Sequence, residues 1–227
     1  MMGGPSHLPD PDRLAVMVGK HWPSAGVRLT VGFMDNPPAD LRVRIISHMN
    51  AWGKTANVQF TESTMDPEVR IARAESAGYW SYVGTDILSI SRHEPTMNLE
   101  AFTMKTPDSE FYRVVRHETG HTLGFPHEHM RRELVERIDV AKAMMYFGET
   151  QGWTEEQIRR QVLTPFEEAT LLGTAHADAM SIMCYQMPGT ITKDGEPIVG
   201  GQDIDEQDFA FAASVYPKQV ATLTGCA

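Results

Sequence analysis

A chain of 227 residues, 41% hydrophobic and 22% charged, has room for one substantial core or two small ones and the balance of an ordinary soluble globular protein. Its formal net charge of −10 argues against nucleic acid or an anionic membrane surface as a partner. No apolar run approaches the length that crosses a bilayer, which excludes integral membrane association.

The opening stretch, Met1 to Pro11, lacks the basic start and apolar centre of a secretory signal, and residues 1–20, rich in Pro, Gly and Asp, are expected to drape over the surface as a leader. Val27, Leu29, Val31 and Phe33 then alternate with Arg28, Thr30, Gly32 and Met34, the period of a strand with one apolar face. Asn36-Pro37-Pro38 breaks it. From Ala39 to Trp52 the residues Leu41, Ile45, Ile46, Met49 and Trp52 fall at helical spacing and predict an amphipathic helix packed on a sheet, with Gly53 at its end. Val58 with Phe60, and Val69 with Ile71, read as short strands around the turn Met65-Asp66-Pro67; residues 79–83 and 87–90 supply two more.

Thr106-Pro107-Asp108 has the chemistry of a helix start, a hydroxyl cap followed by proline and an acid, and Phe111, Val114, Val115 and Thr122 mark the inward face of the helix that follows. Thr154 and Gln157 form a capping box flanked by Trp153 and Ile158, predicting a helix to about Leu163. Asp205 is placed to cap a last helix that buries Phe209, Ala212, Ala213 and Tyr216 and stops at Pro217. Strand, long helix and further strands, followed by a strand-poor half, point to one domain over residues 21–227 with two lobes, about 21–127 and 128–227, and a cleft between them. Cys184 and Cys226 allow one bridge at most; with Cys226 one residue from the terminus, two free thiols are expected and the redox compartment stays open.

The chemistry concentrates in residues 117–127, His-Glu-Thr-Gly-His-Thr-Leu-Gly-Phe-Pro-His. On a helix, His117 and His121 stand one turn apart on one face, so both imidazoles can reach one ion. Gly124 suits the left-handed residue that ends such a helix, letting the chain turn back and offer His127 as a third nitrogen. Three nitrogens leave a fourth position for water, the mark of a catalytic rather than a structural zinc site, and Glu118 sits where it can take that water's proton.

Residues 117–127 match every specified position of the metzincin signature H-E-x-x-H-x-x-G-x-x-H. Within that clan the chain resembles the astacins. Phe125, Glu128, the stretch Ser181-Ile182-Met183-Cys184-Tyr185, Trp22-Pro23, Ser81-Tyr82-Val83-Gly84 and Gly200-Gly201-Gln202 carry the likeness, which runs from about residue 20 to residue 217. The resemblance implies an α+β, metzincin/zincin-like fold with a twisted mixed five-stranded sheet, two long helices and a loop-rich C-terminal lobe. It implies one catalytic Zn2+, an endopeptidase acting on protein or peptide substrates, an edge strand at residues 79–83 that receives the substrate, and secretion.

The same resemblance makes Tyr185 a resting ligand to zinc and a donor to the oxyanion, and Met183 the packing beneath the ligands, with a plain core methionine as the alternative. Glu128 would anchor a mature N-terminus, or else be a solvated or helix-capping glutamate, and Lys193 would border the pocket for the residue after the cut. His129 falls outside the ligand spacing. The chain departs from the family in lacking four cysteines, in carrying Cys184 where histidine is usual, and in having no F-x-G-D pro-segment motif before Trp22. The alternatives are a zinc-bearing binding protein that is inactive or held latent by its leader, and a hydrolase of non-peptide amides.

Overall fold

The computed structural model describes residues 15–167, 171–173 and 176–218. The alternating run becomes β2 (Val27–Phe33), with Val27, Leu29 and Val31 buried. Its partners are β3 (Val58–Glu62) and β4 (Val69–Ala72), both parallel to it. The sheet continues through β6 (Met97–Leu99) to β5 (Tyr79–Ser81), in the order β3-β2-β4-β6-β5, with β5 antiparallel at one edge. A mixed five-stranded sheet is thus present, but its fifth member is not the expected segment 87–90.

Residues Gly84–Ser89 form a 3-10 helix. Gly84 turns the chain at φ +54° with Lys20 O where a Cβ would stand, and Ile87 is buried while Leu88 faces solvent. A residue in the left-handed region at the start of the segment breaks the extended backbone a strand needs. Met97, Asn98 and Leu99 are all buried instead. The Asn98 amide donates to Ala74 O and Gly78 O and accepts from Ala74 N, pinning the turn that leads into β5. Three residues are too few to show a strand's period in the sequence.

Helix α1 (Ala39–Met49) packs Leu41, Ile45 and Met49 inward and tightens into a 3-10 turn over Asn50–Lys54, so Trp52 is buried one turn beyond the end of the α-helix. The second long helical run comprises α2 (Asp108–Glu110), a π-helical segment Phe111–Val115 and α3 (Arg116–Thr122). Thr106 is not its cap: its hydroxyl accepts from Thr103 N, and Pro107 stands at the cap position. Phe111, Val114, Val115 and Thr122 face inward as expected.

Residues 15–17 depart from the expected surface leader. They form β1 (Ala15–Met17), which pairs antiparallel with Leu171–Gly173, and Ala15 and Val16 are buried. The reason is local: Met17 N donates to Gly124 O and Val16 packs on Gly124, at the turn that follows α3. The first fourteen residues of the leader lie outside the described residues, as does Cys226.

Beyond the zinc-type motif come α4 (Arg132–Val135), α5 (Val140–Gln151) and α6 (Glu155–Ile158), the last with the expected Thr154–Gln157 capping box and a π-helical continuation Arg159–Leu163. The short strand Leu171–Gly173 is β7, and α7 (Glu206–Val215) closes the described chain. Asp205 caps α7, and Ala212 and Tyr216 are buried as expected; Asp208, Ala210 and Phe211 are buried with them, while Phe209 and Ala213 are only partly buried. Apolar side chains gather in two clusters. The larger joins the sheet, α1, Phe111, Val114, Val115 and Leu123 on either side of α3, and α7; the smaller joins α4, α5, α6 and the loop 184–198. No helix among the described residues is long and apolar enough to cross a membrane.

Candidate active site

Helix α3 delivers His117, Glu118 and His121 from its buried face. Its C-terminal carbonyls would be orphaned by the turn that follows, and two side chains satisfy them: Trp22 Nε1 donates to Thr122 O at 2.8 Å and Tyr216 OH donates to Leu123 O at 2.5 Å. Gly124 then turns at φ +100°, as expected. His127 comes back toward α3, its ring centroid 4.5 Å from His121 and 5.3 Å from His117. One ring nitrogen from each histidine lies within 4.8 Å of the others.

The outer nitrogens decide the tautomers. His117 Nδ1 is 2.6 Å from Ile182 O and His121 Nδ1 is 2.7 Å from Phe125 O. A carbonyl only accepts, so both rings carry their proton on Nδ1 and present a bare Nε2 to the centre. His117 Nε2 is buried without a hydrogen-bond partner, and His121 Nε2 stands 3.0 Å from His127 Nε2. Ligands about 2.0–2.1 Å from a tetrahedral zinc would stand about 3.4 Å apart, close to this spacing. Burial lowers the pKa of all three rings, that of His121 to about 4, so all are neutral donors at neutral pH. The residues present fit a zinc ion.

Glu118 is buried, and its Oε2 has no hydrogen-bond partner. Desolvation raises its pKa to about 8, opposed by the Arg113 guanidinium; a divalent cation held by the three imidazoles would pull it back down. The cleft, about 440 Å³, is lined by His117, Glu118 and Tyr185 and bounded by Tyr79, Arg113 and Gln202. Tyr185 is 39% exposed at its mouth, stacked at 16° on His117, with burial and the Glu118 carboxylate raising its pKa.

Met183 is fully buried under α3, and its Sδ occupies the place where a Cβ on Gly120 would be. The glycine in the motif's middle is therefore matched to a methionine 63 positions later. The turn is held from α7: Asp208 accepts from Ser181 Oγ at 2.6 Å and from Ile182 N at 3.0 Å, while Ile182 O receives the His117 proton. Asp208, with its pKa raised by burial to about 7, was missed in the sequence, although its place three residues after Asp205 is the signal of a capping box.

Two expectations change here. Glu128 is neither solvated nor a helix cap; it is fully buried, paired with Arg131 Nη1 at 3.3 Å and accepting from Asp178 N. Lys193 does not line the cleft, because its Nζ donates to Glu136 O; the cation at the cleft is Arg113, one turn before His117 and bound to Glu110. His129, outside the ligand spacing, is buried against Tyr185. Cys184 is buried, with its thiol pKa raised chiefly by desolvation, and forms no disulfide among the described residues.

Residues 16–199 match the model of the astacin peptidase family. The chain belongs to the astacin family. Zinc metalloproteinase nas-27 of Caenorhabditis elegans is 30% identical over 131 residues, 56% of this chain and 28% of that protein, so the chain spans about a quarter of this curated relative. A structure of myroilysin superposes with a TM-score of 0.84 at 30% identity, covering 91% of this chain and all of that one; a second myroilysin structure gives 0.65 at 29%, over 88% and 87%. High choriolytic enzyme 1, a hatching enzyme zinc-protease from Oryzias latipes, gives 0.56 at 17% identity over 88% and 94%, a likeness of fold alone. Astacin-family membership sets the class of chemistry as that of a metallopeptidase, and zinc as the metal that the three imidazoles fit.

Proposed function

We propose that this chain is a zinc endopeptidase that cuts extended polypeptides, with His117, His121 and His127 as zinc ligands, Glu118 as general base and Tyr185 as oxyanion donor. The observation that carries the reading is a buried, unpartnered Glu118 oxygen in the same cleft as the bare His117 Nε2. His117, His121 and His127 would hold zinc as three neutral imidazoles, and the bound ion would supply Lewis acidity toward water and a peptide carbonyl. Glu118 takes the proton of the attacking water and returns it to the leaving amine, so no covalent enzyme intermediate is needed. The Tyr185 phenol donates to the oxygen on which negative charge develops. Met183 keeps the floor of the site dry and close-packed.

The β5 edge is free on one side in the sheet order, and Tyr79 at its start borders the cleft. A substrate strand added there by main-chain hydrogen bonds would be held largely independent of its sequence. The chain from Ala15 on would then act as one catalytic domain, with the cleft between lobes dividing at about residue 127. The test is hydrolysis of casein and of quenched peptides by the intact chain, with and without a chelator and after zinc is restored. Zinc-dependent cleavage that disappears in Glu118→Ala, with metal still bound, supports the reading; a zinc-loaded wild type inert on every peptide overturns it.

A further inference from the structure

His129 follows the third imidazole by two positions, and nothing in the proposed chemistry uses it. It sits in the 3-10 turn Glu128–Met130 and is 2% exposed. Its ring lies nearly parallel to that of Tyr185, centroids 4.8 Å apart at 16°. His117 stacks on the same tyrosine at 5.4 Å, also at 16°. Both His129 nitrogens are engaged: Nε2 is 3.0 Å from Gln161 O, and Nδ1 faces Tyr185 N at 3.4 Å. The carbonyl of Gln161 can only accept, so the proton is on Nε2, and the bare Nδ1 accepts from the tyrosine's amide. With neither nitrogen free, His129 is not a metal ligand.

We infer that His129 is a positioning residue for Tyr185: it grips the tyrosine's amide and supports its ring, setting where the phenol oxygen stands beside the three imidazoles. A tyrosine 39% exposed at a cleft mouth has rotamers open to it that point into solvent. The stack and the amide bond disfavour them. The tether runs farther back, since Gln161 belongs to the π-helical segment Arg159–Leu163, whose Val162 is buried in the smaller core. The tyrosine's place is thereby referred to the C-terminal lobe, while the histidines it serves ride on the larger core. This inference rests on the proposed role of the Tyr185 phenol.

The experiment compares kcat, KM and zinc content for His129→Ala, His129→Asn and His129→Gln, each in the wild-type and Tyr185→Phe backgrounds. Asparagine places an acceptor near the position of Nδ1 and can keep the bond to Tyr185; glutamine extends a donor toward Gln161 O but lacks that acceptor. The expected result is a fall in kcat of about tenfold for His129→Ala with KM within about twofold and zinc at one per chain, and no further fall beyond about twofold once Tyr185 is phenylalanine. Asparagine should restore more kcat than glutamine, an order that holds even if the alanine variant does not fold. Equal losses in both backgrounds, loss of zinc, or glutamine outperforming asparagine would overturn the inference while leaving the peptidase reading intact. A Tyr185→Phe enzyme with undiminished kcat removes the phenol from the mechanism and this inference with it.

Discussion

The larger core, between the five-stranded sheet and α3, and the smaller core, around Ile158, Val162 and Ile198, meet in the stretch 182–184. Ile182 and Met183 pack into the first, and the next residue, Cys184, packs into the second. The larger core delivers two of the three metal donors and the carboxylate beside them, because His117, Glu118 and His121 project from a helix it holds rigid. The smaller core delivers what steadies them from outside, the His129–Tyr185 pair and the loop beyond it. Donors on a rigid element need only correct spacing; supports need two distant parts of the chain to arrive together. The methionine turn is the hinge of the comparison, since a disturbance in either core reaches His117 through the single hydrogen bond from its Nδ1 to Ile182 O.

The largest effect should come from the donor side. Glu118→Ala is expected to lower kcat by about a thousandfold or more with zinc content unchanged, because proton transfer is lost but no ligand is. Atomic absorption alongside steady-state kinetics separates this from metal loss. On the support side, Tyr185→Phe should lower kcat by about a hundredfold, the cost of one oxyanion donor; unaltered turnover would break the link between the two cores at that residue.

Asp208→Asn probes the hinge itself. Replacing an oxygen that accepts from Ile182 N with an amide that donates should shift the turn, loosen the His117 ring and weaken zinc binding about tenfold, read by chelator competition. A wild-type affinity would mean that the turn is held without α7. Gly120→Ala tests the floor: a methyl driven into Met183 Sδ should cost about 1–3 kcal/mol and lower Tm by several degrees, with a Met183→Ala partner change recovering part of the loss.

The smallest effect is expected from mild acid. Burial depresses the His121 pKa to about 4, below the ordinary imidazole value of 6.5, so the folded state favours the neutral ring. That contribution is fully present above pH 6.5 and is lost as pH falls toward 4. Zinc should stay bound at pH 6, where exposed histidines are largely protonated, and leave as pH nears 4; dialysis followed by metal analysis at each pH gives the answer.

Much of the donor side was legible in the chain. The i, i+4 pair, the glycine that turns back and the third histidine are encoded within eleven consecutive residues, so local geometry suffices to bring them together. The capping box at Thr154 and the cap at Asp205 were legible for the same reason. The support side was not. Asp208 behind Ile182 and His129 behind Tyr185 join positions 26 and 56 residues apart, and although the box with Asp205 marks Asp208 as a cap, nothing nearby in the chain marks what either side chain reaches. The strand at Met97–Leu99 is too short to show a period, and the apolar residues within Gly84–Ser89 imitate a strand although the turn at Gly84 forbids one.

The amino-acid sequence by itself determined the metal donors, their spacing and the helix that carries two of them, because hydrogen bonding four residues apart sets that geometry wherever a helix forms. Only the tertiary structure decided which proton each imidazole keeps, why position 120 must lack a side chain, and what holds the tyrosine at the cleft's mouth. Those depend on carbonyls, a sulfur and an imidazole brought in from remote positions, and close packing of the two cores chooses among the arrangements that local preference leaves open.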